Sequence, residues 1–399
     1  MDHSDLQAPS AWRLSERAQK LTSSAIREIL KVTERPEVTS FAGGLPSPQT
    51  FPAEQMRAAA DRILRDDPAA ALQYSATEGY KPLREWIAAR HSTDGVQIRA
   101  SQVLITTGSQ QALDLLGKVL VSPARPVLVE TPTYLGALQS FSLYEPRYVQ
   151  VPTDDQGLIP ESLTPELTAD ARVLYTIPNF QNPTGRRLPL ERRRALAAYA
   201  LRAPFPIVED DPYGALDYAG EPLPTLLSMA PEHIVHLGSF SKVLAPGLRV
   251  GYIIAPEDLH FKLVQAKQAT DLHTPSFTQR IVHEVVKDGF LDTHVPKIRT
   301  LYRDQCDAMI AALERYMPEG VTWNRPEGGM FIWASVPGQI DTMKLLEEAV
   351  AQNVAFVPGA PFYADDARHN MLRLSFVTVP PAKIDEGIAK LAALIRARS

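Results

Sequence analysis

The 399-residue chain is 45% hydrophobic and carries a formal net charge of -5. That is enough apolar material for a large core or two domains, without the basic excess of a nucleic-acid-binding surface or a polybasic membrane arm. No apolar run is long enough to span a bilayer and Met1-Asp2-His3-Ser4-Asp5 lacks a signal-type apolar stretch, so a cytoplasmic location is expected, with small molecules and a second copy of the chain as partners.

The first 40 residues hold one helix-like stretch, Ser24 to Thr33, with Ser24 as its N-cap. From about residue 100 the pattern alternates: apolar Val103-Leu104-Ile105, helical Gln110 to Leu120, apolar Val127-Leu128-Val129, helical Tyr134 to Phe141. Further apolar runs follow at Val173-Leu174-Tyr175, Ile207-Val208, Ile234 to Leu237 and Val250 to Ile254. Strands alternating with helices predict an α/β fold with a mostly parallel sheet, which binds ligands at the carboxyl ends of its strands. The C-terminal part reads as a smaller α+β unit. It has strand-like Gly329 to Trp333 and Met371 to Val377, a helix-like Asp341 to Gln352 and an amphipathic helix from Lys383 to Arg396. Cys306 is the only cysteine and falls in the helix-like Thr300 to Tyr316, where a passive thiol is expected. The nine histidines never stand at ligand spacing beside carboxylates, so no metal site is expected.

Chemistry-bearing residues follow the apolar runs. Thr106-Thr107-Gly108-Ser109-Gln110 opens a helix and suits either a phosphate on backbone amides or a plain turn. Asn182 sits in the turn Gln181-Asn182-Pro183-Thr184-Gly185, as a ligand or as a turn residue satisfying its own backbone. Glu209-Asp210-Asp211 ends a strand, so these acids either reach solvent or meet a cation. Ser239-Phe240-Ser241-Lys242, with Arg249 seven residues after the lysine, frames an amine with hydroxyls and a fixed cation. A Schiff-base lysine beside a bound phosphate needs that layout, although a solvated turn lysine matches it too. Taken in order, the phosphate-type turn, Tyr134, Asn182, an acid with Tyr213 three residues on, and the lysine with Arg249 serve each exposed part of pyridoxal 5′-phosphate.

The chain resembles the fold-type I pyridoxal-phosphate aminotransferases of class I/II over nearly its whole length, most of all the 2-aminoadipate and kynurenine aminotransferase branch. The resemblance is carried by Ser40 to Pro46, Gln73-Tyr74-Ser75, Glu78-Gly79-Tyr80, Thr106 to Gln111, Gln181 to Gly185, Glu209 to Tyr213, Gly238 to Lys242, Pro246 to Arg249, Asp271 to Thr274 and Leu372 to Ser375. It implies a large domain, residues 51–290, whose mostly parallel seven-stranded sheet is sandwiched by helices. A small α+β domain would span 291–399, and an N-terminal segment, 1–50, would pack with it and with the active site. It further implies that Lys242 carries the cofactor, that Asp210 pairs with the pyridine nitrogen, and that Tyr213 and Asn182 bond the ring's phenolic oxygen while Tyr134 stacks on its face. The phosphate would be held by Gly108, Ser109, Gln110, Ser239, Ser241 and Arg249, and by Tyr74 of the other subunit of a homodimer whose active sites lie at the subunit interface. Arg373 would pair with the substrate α-carboxylate, Gly43 and Gly44 would line the substrate space beside Asn182, and Arg27 would read a distal carboxylate. The implied reaction is ping-pong amino transfer to a 2-oxo acid, with 2-oxoglutarate as the expected acceptor. The same cofactor frame also supports β-lyase, racemase or decarboxylase chemistry.

Overall fold

The computed structural model describes residues 12–19 and 35–398. Its central sheet has seven strands: β1 (Val103–Thr106), β2 (Pro126–Glu130), β3 (Arg147–Val151), β4 (Val173–Thr176), β5 (Ile207–Asp210), β6 (Ile234–Ser239) and β7 (Gly251–Ile254). They lie in the order β1-β7-β6-β5-β4-β2-β3, and only β7 runs antiparallel to its neighbours. The α/β architecture with a mostly parallel seven-stranded sheet is the one expected from the sequence.

These strands read as continuous apolar runs because helices cover both faces. Alternation still operates within them. Val173, Tyr175, Val208, Val235 and Leu237 enter one core with Leu113, Phe141 and Leu263, from α3 (Ser109–Leu120), α4 (Leu135–Ser142) and α6 (Glu257–Asp271), while Leu174, Ile207 and Ile234 enter the other. That second core is closed by Leu83 of α2 (Lys81–His91), Leu196 of α5 (Leu190–Ala200) and Val282 of α7 (Ser276–Val286), with α1 (Ala53–Asp66) outside.

Several elements escaped the sequence reading. Strand β3 is one: Arg147-Tyr148-Val149-Gln150-Val151 is a half-exposed edge strand without the apolar run that marks the buried ones. Helix α8 (Phe290–Tyr316) begins well before the expected Thr300, because it carries Pro296 inside it and proline normally marks a boundary. Burial in α8 pushes the Cys306 thiol up to about 12, so it is the passive thiol expected.

Beyond α8 a four-stranded antiparallel sheet forms from β8 (Thr322–Trp323), β9 (Phe331–Ser335), β10 (Val357–Pro358) and β11 (Met371–Ser375), in the order β8-β9-β11-β10. Helices α9 (Thr342–Ala351) and α10 (Pro381–Arg396) cover it, the latter burying Ile384, Ile388, Leu391 and Ile395 at helical spacing. The expected helix Ser24 to Thr33, and Arg27 with it, lie outside the described residues.

Candidate active site

The carboxyl ends of β1, β4, β5 and β6 open onto a cavity of about 300 Å³, which Arg373 of β11 closes from the second sheet. Three acids end β5, and strand alternation sends each to different partners. Glu209 accepts from the Leu226 and Leu227 amides at 2.7 and 3.1 Å and pairs with His236 Nδ1 at 3.0 Å, away from the cavity. Burial opposes both charges of that pair, yet their mutual hydrogen bond leaves the Glu209 carboxyl below its ordinary range and His236 above its own. Asp211 accepts from Asn179 Nδ2 and the Gly214 amide. Asp210 borders the cavity, and its Oδ2 accepts from the Tyr175 hydroxyl at 2.7 Å. Its Oδ1 is buried and has no partner among the described residues. Burial raises the Asp210 carboxyl to about 6, with the Tyr175 hydrogen bond pulling it down and the Asp211 charge pushing it up.

Across the cavity Lys242 Nζ donates to the Gly44 carbonyl at 2.7 Å. Burial, reinforced by the Arg373 and Arg249 charges, lowers its ammonium to about 8, so about a fifth of this amine is neutral near pH 7.4, against roughly a thousandth for an ordinary lysine. Arg373 is 2% exposed and is anchored by Nη1 to Asn182 Oδ1 and by Nη2 to the Ala42 carbonyl, each at 2.8 Å. The Phe331 ring lies 4.3 Å from its guanidinium carbon, and its Nε is buried without a partner among the described residues. Asn182 Nδ2 also reaches the Tyr213 hydroxyl at 3.5 Å.

At the far end, Ser109 starts α3 behind Gly108, whose φ of 74° no ordinary side chain favours. A Cβ there would stand 2.4 Å from Arg249 Nη2, so glycine lets the guanidinium lie against the helix start. Amides without helical partners, the Ser239 and Ser241 side chains and that guanidinium together make an anion cup.

A family model for aminotransferase class I and II matches residues 42–391. The chain belongs to the class I and II aminotransferases. It is 46% identical to aromatic-amino-acid aminotransferase 1 of Thermococcus litoralis, over 96% of this chain and 94% of that one. It is 45% identical to 2-aminoadipate transaminase of Thermus thermophilus, over 97% and 98%. The crystal structure of an α-aminoadipate aminotransferase from Thermus thermophilus, complexed with N-(5′-phosphopyridoxyl)-L-leucine, superposes with a TM-score of 0.90 at 43% identity, covering 96% of this chain and 97% of that one.

The aminotransferase therefore works with pyridoxal 5′-phosphate, and its cavity fits that group. The unpaired buried oxygen of Asp210 suits a cationic ring nitrogen, the cup suits a phosphate, and Lys242 lines the same cavity with a suppressed charge. Of the expected residues, Gly44, Ser109, Gln110, Tyr134, Asn182, Asp210, Tyr213, Ser239, Ser241, Lys242, Arg249 and Arg373 share the cavity wall. Gly108 supports the wall through Arg249, and Gly43 stands one residue behind it. The Gln110 side chain turns away to Ser140 Oγ and the Gly136 carbonyl of α4. Tyr74 is 79% exposed and is not part of the wall formed by its own chain.

Supporting residues that the sequence did not mark complete the site. The fully buried Arg193 donates to the Leu188, Pro224 and Pro178 carbonyls and to Asn179 Oδ1, which clamps the loop bearing Asn182. Gln181 ties the same loop to Glu130 and Pro132. Under the anion cup, Asp271 accepts from Gln111, Thr107 and the buried Lys267.

Proposed function

We propose that this aminotransferase moves the α-amino group of 2-aminoadipate, glutamate, aromatic or leucine-like amino acids to a 2-oxo acid, foremost 2-oxoglutarate, in two half-reactions. The convergence of Lys242, Arg373 and the half-unpaired Asp210 on one cavity carries the reading. The substrate range is supported by the names of the similar enzymes and by a wall that sets apolar Leu45, Ile177 and Pro212 beside the cationic Arg373.

When bound, pyridoxal 5′-phosphate supplies an aldehyde that condenses with amines and a ring that accepts electrons from Cα. Asp210, which lines the cavity and has Oδ1 unpartnered among the described residues, would pair with the ring nitrogen and keep it protonated. Arg373 takes the donor's α-carboxylate; its unpaired Nε and its anchored Nη groups preset the fork. Lys242 would hold the cofactor and, through its neutral fraction, would serve as the base that takes the proton from the donor's Cα. The donor would leave as its 2-oxo acid, and a second 2-oxo acid would take up the amino group in the other half-reaction.

We assign residues 1–50 to an N-terminal segment, 51–290 to a large domain and 291–399 to a small one, a reading that the two separate sheets support. Tyr74 is assigned to the phosphate site of a partner subunit in a homodimer, which its exposure supports; an active monomer in size-exclusion chromatography would overturn this. A cytoplasmic location is part of the same reading, tested by fractionating cells. The test of the activity is Lys242→Ala with a donor panel and 2-oxoglutarate. Turnover is lost in a folded protein, and in the parent the panel includes acidic and neutral donors. Arg27→Ala raises KM several-fold for 2-aminoadipate and glutamate only; equal effects on leucine exclude Arg27 as the reader of the side chain.

A further inference from the structure

Tyr175 belongs to the apolar strand β4, yet its hydroxyl performs a task that hydrophobicity does not require. In the parallel register Tyr175 lies beside Val208, so the next residue of β5 on that face is Asp210. The ring packs edge-on against Phe141 at 6.0 Å between centroids, which fixes it, and the side chain is fully buried. From there its hydroxyl donates to Asp210 Oδ2 at 2.7 Å. Burial holds the phenol well above its ordinary pKa, so it stays a donor. It is the one side chain seen to donate to this carboxylate among the described residues, while the neighbouring acids Glu209 and Asp211 each have several donors.

We propose that Tyr175 is a positioning residue for the cofactor ring: its hydroxyl fixes the plane of the Asp210 carboxylate and holds the negative charge there, so that the proton stays on the pyridine nitrogen. The physical reason is the asymmetry of the carboxylate. One oxygen is satisfied by a neutral donor and the other has no partner among the described residues in a side chain that lines the cavity, so the anion is neither quenched by a second protein cation nor left to take up a proton itself. Without the hydroxyl the carboxylate becomes more basic in an apolar pocket and competes with the ring for the proton. This rests on the pairing of Asp210 with the ring nitrogen.

The experiment is a binding cycle on the purified apoenzyme. Dissociation constants are measured by fluorescence titration for pyridoxal 5′-phosphate and for its analogue with C–H in place of the ring nitrogen, with the parent, Tyr175→Phe and Asp210→Asn. Tyr175→Phe weakens the natural cofactor about tenfold and the nitrogen-free analogue less than about twofold, the size expected for part of one charge-assisted hydrogen bond. In the loaded variant kcat falls at least about tenfold while KM for the donor stays within about threefold. Equal weakening of both cofactors, or no weakening of either, with Asp210→Asn still discriminating between them, makes Tyr175 a packing residue and overturns the proposal alone. Asp210→Asn failing to discriminate overturns the pairing beneath it as well.

Discussion

Gly108→Ala separates two energies that usually change together. The glycine has φ 74° and ψ 170°, a region that side chains avoid at a cost of about 1–3 kcal/mol. That strain is present with and without cofactor, so it lowers the melting temperature by about 1–4 °C in a chain of this size and leaves affinity untouched. The second energy is local. A methyl group would lie 2.4 Å from Arg249 Nη2 and 2.8 Å from its Cζ, and ordinary contact requires the guanidinium to retreat by about 1 Å. Arg249 itself has φ 51° and is held by long bonds to the Pro246 and Thr107 carbonyls, both 3.4 Å, so it yields at little cost. With Arg249 on the cofactor's phosphate as proposed, retreat would break a charge-assisted bond, about 1.5–3 kcal/mol, or roughly ten- to a hundredfold in the dissociation constant. Fluorescence titration of apoenzyme with pyridoxal 5′-phosphate reads the second effect, and thermal unfolding of the apoenzyme reads the first. An unchanged dissociation constant together with a lowered melting temperature would refute the placement of Arg249 against the phosphate.

Capture of cofactor by the apoenzyme is expected to speed up with pH, because condensation needs the neutral amine. With burial holding the Lys242 ammonium at about 8, the neutral fraction rises about tenfold from about pH 6 to 7 and levels off above about 8.5, and stopped-flow absorbance would show it. A rate still climbing toward about pH 10 would mean an unperturbed lysine. Arg373→Lys is expected to lower kcat/KM for every donor by roughly thirty- to a thousandfold, about 2–4 kcal/mol, since a point charge replaces a fork already anchored to Asn182 and Ala42. Steady-state kinetics within about fivefold of the parent would remove Arg373 from the carboxylate site.

Legibility in the sequence followed how local each constraint is. Lys242, Arg249, Asn182 and Asp210 were readable because each sits in a turn or strand end whose neighbours are themselves unusual, as Ser239 and Ser241 are around the lysine. The central sheet was readable where both faces are buried, and β3 was lost because an edge strand keeps half its residues polar. Arg193, Lys267 and Tyr175 were illegible for a different reason. Each resembles a common residue of its element, an arginine or lysine on a helix and an aromatic in a strand, and each acquires its task from a partner far along the chain. For Tyr175 the partner is 35 residues away, and their meeting depends on β4 and β5 pairing in parallel with Tyr175 level with Val208. A slip of one residue would send the hydroxyl to the opposite face, where Glu209 is already satisfied by His236 and two amides. The charge on Asp210 is therefore a property of strand register, and the packing of Leu174 and Tyr175 into opposite cores is what secures it.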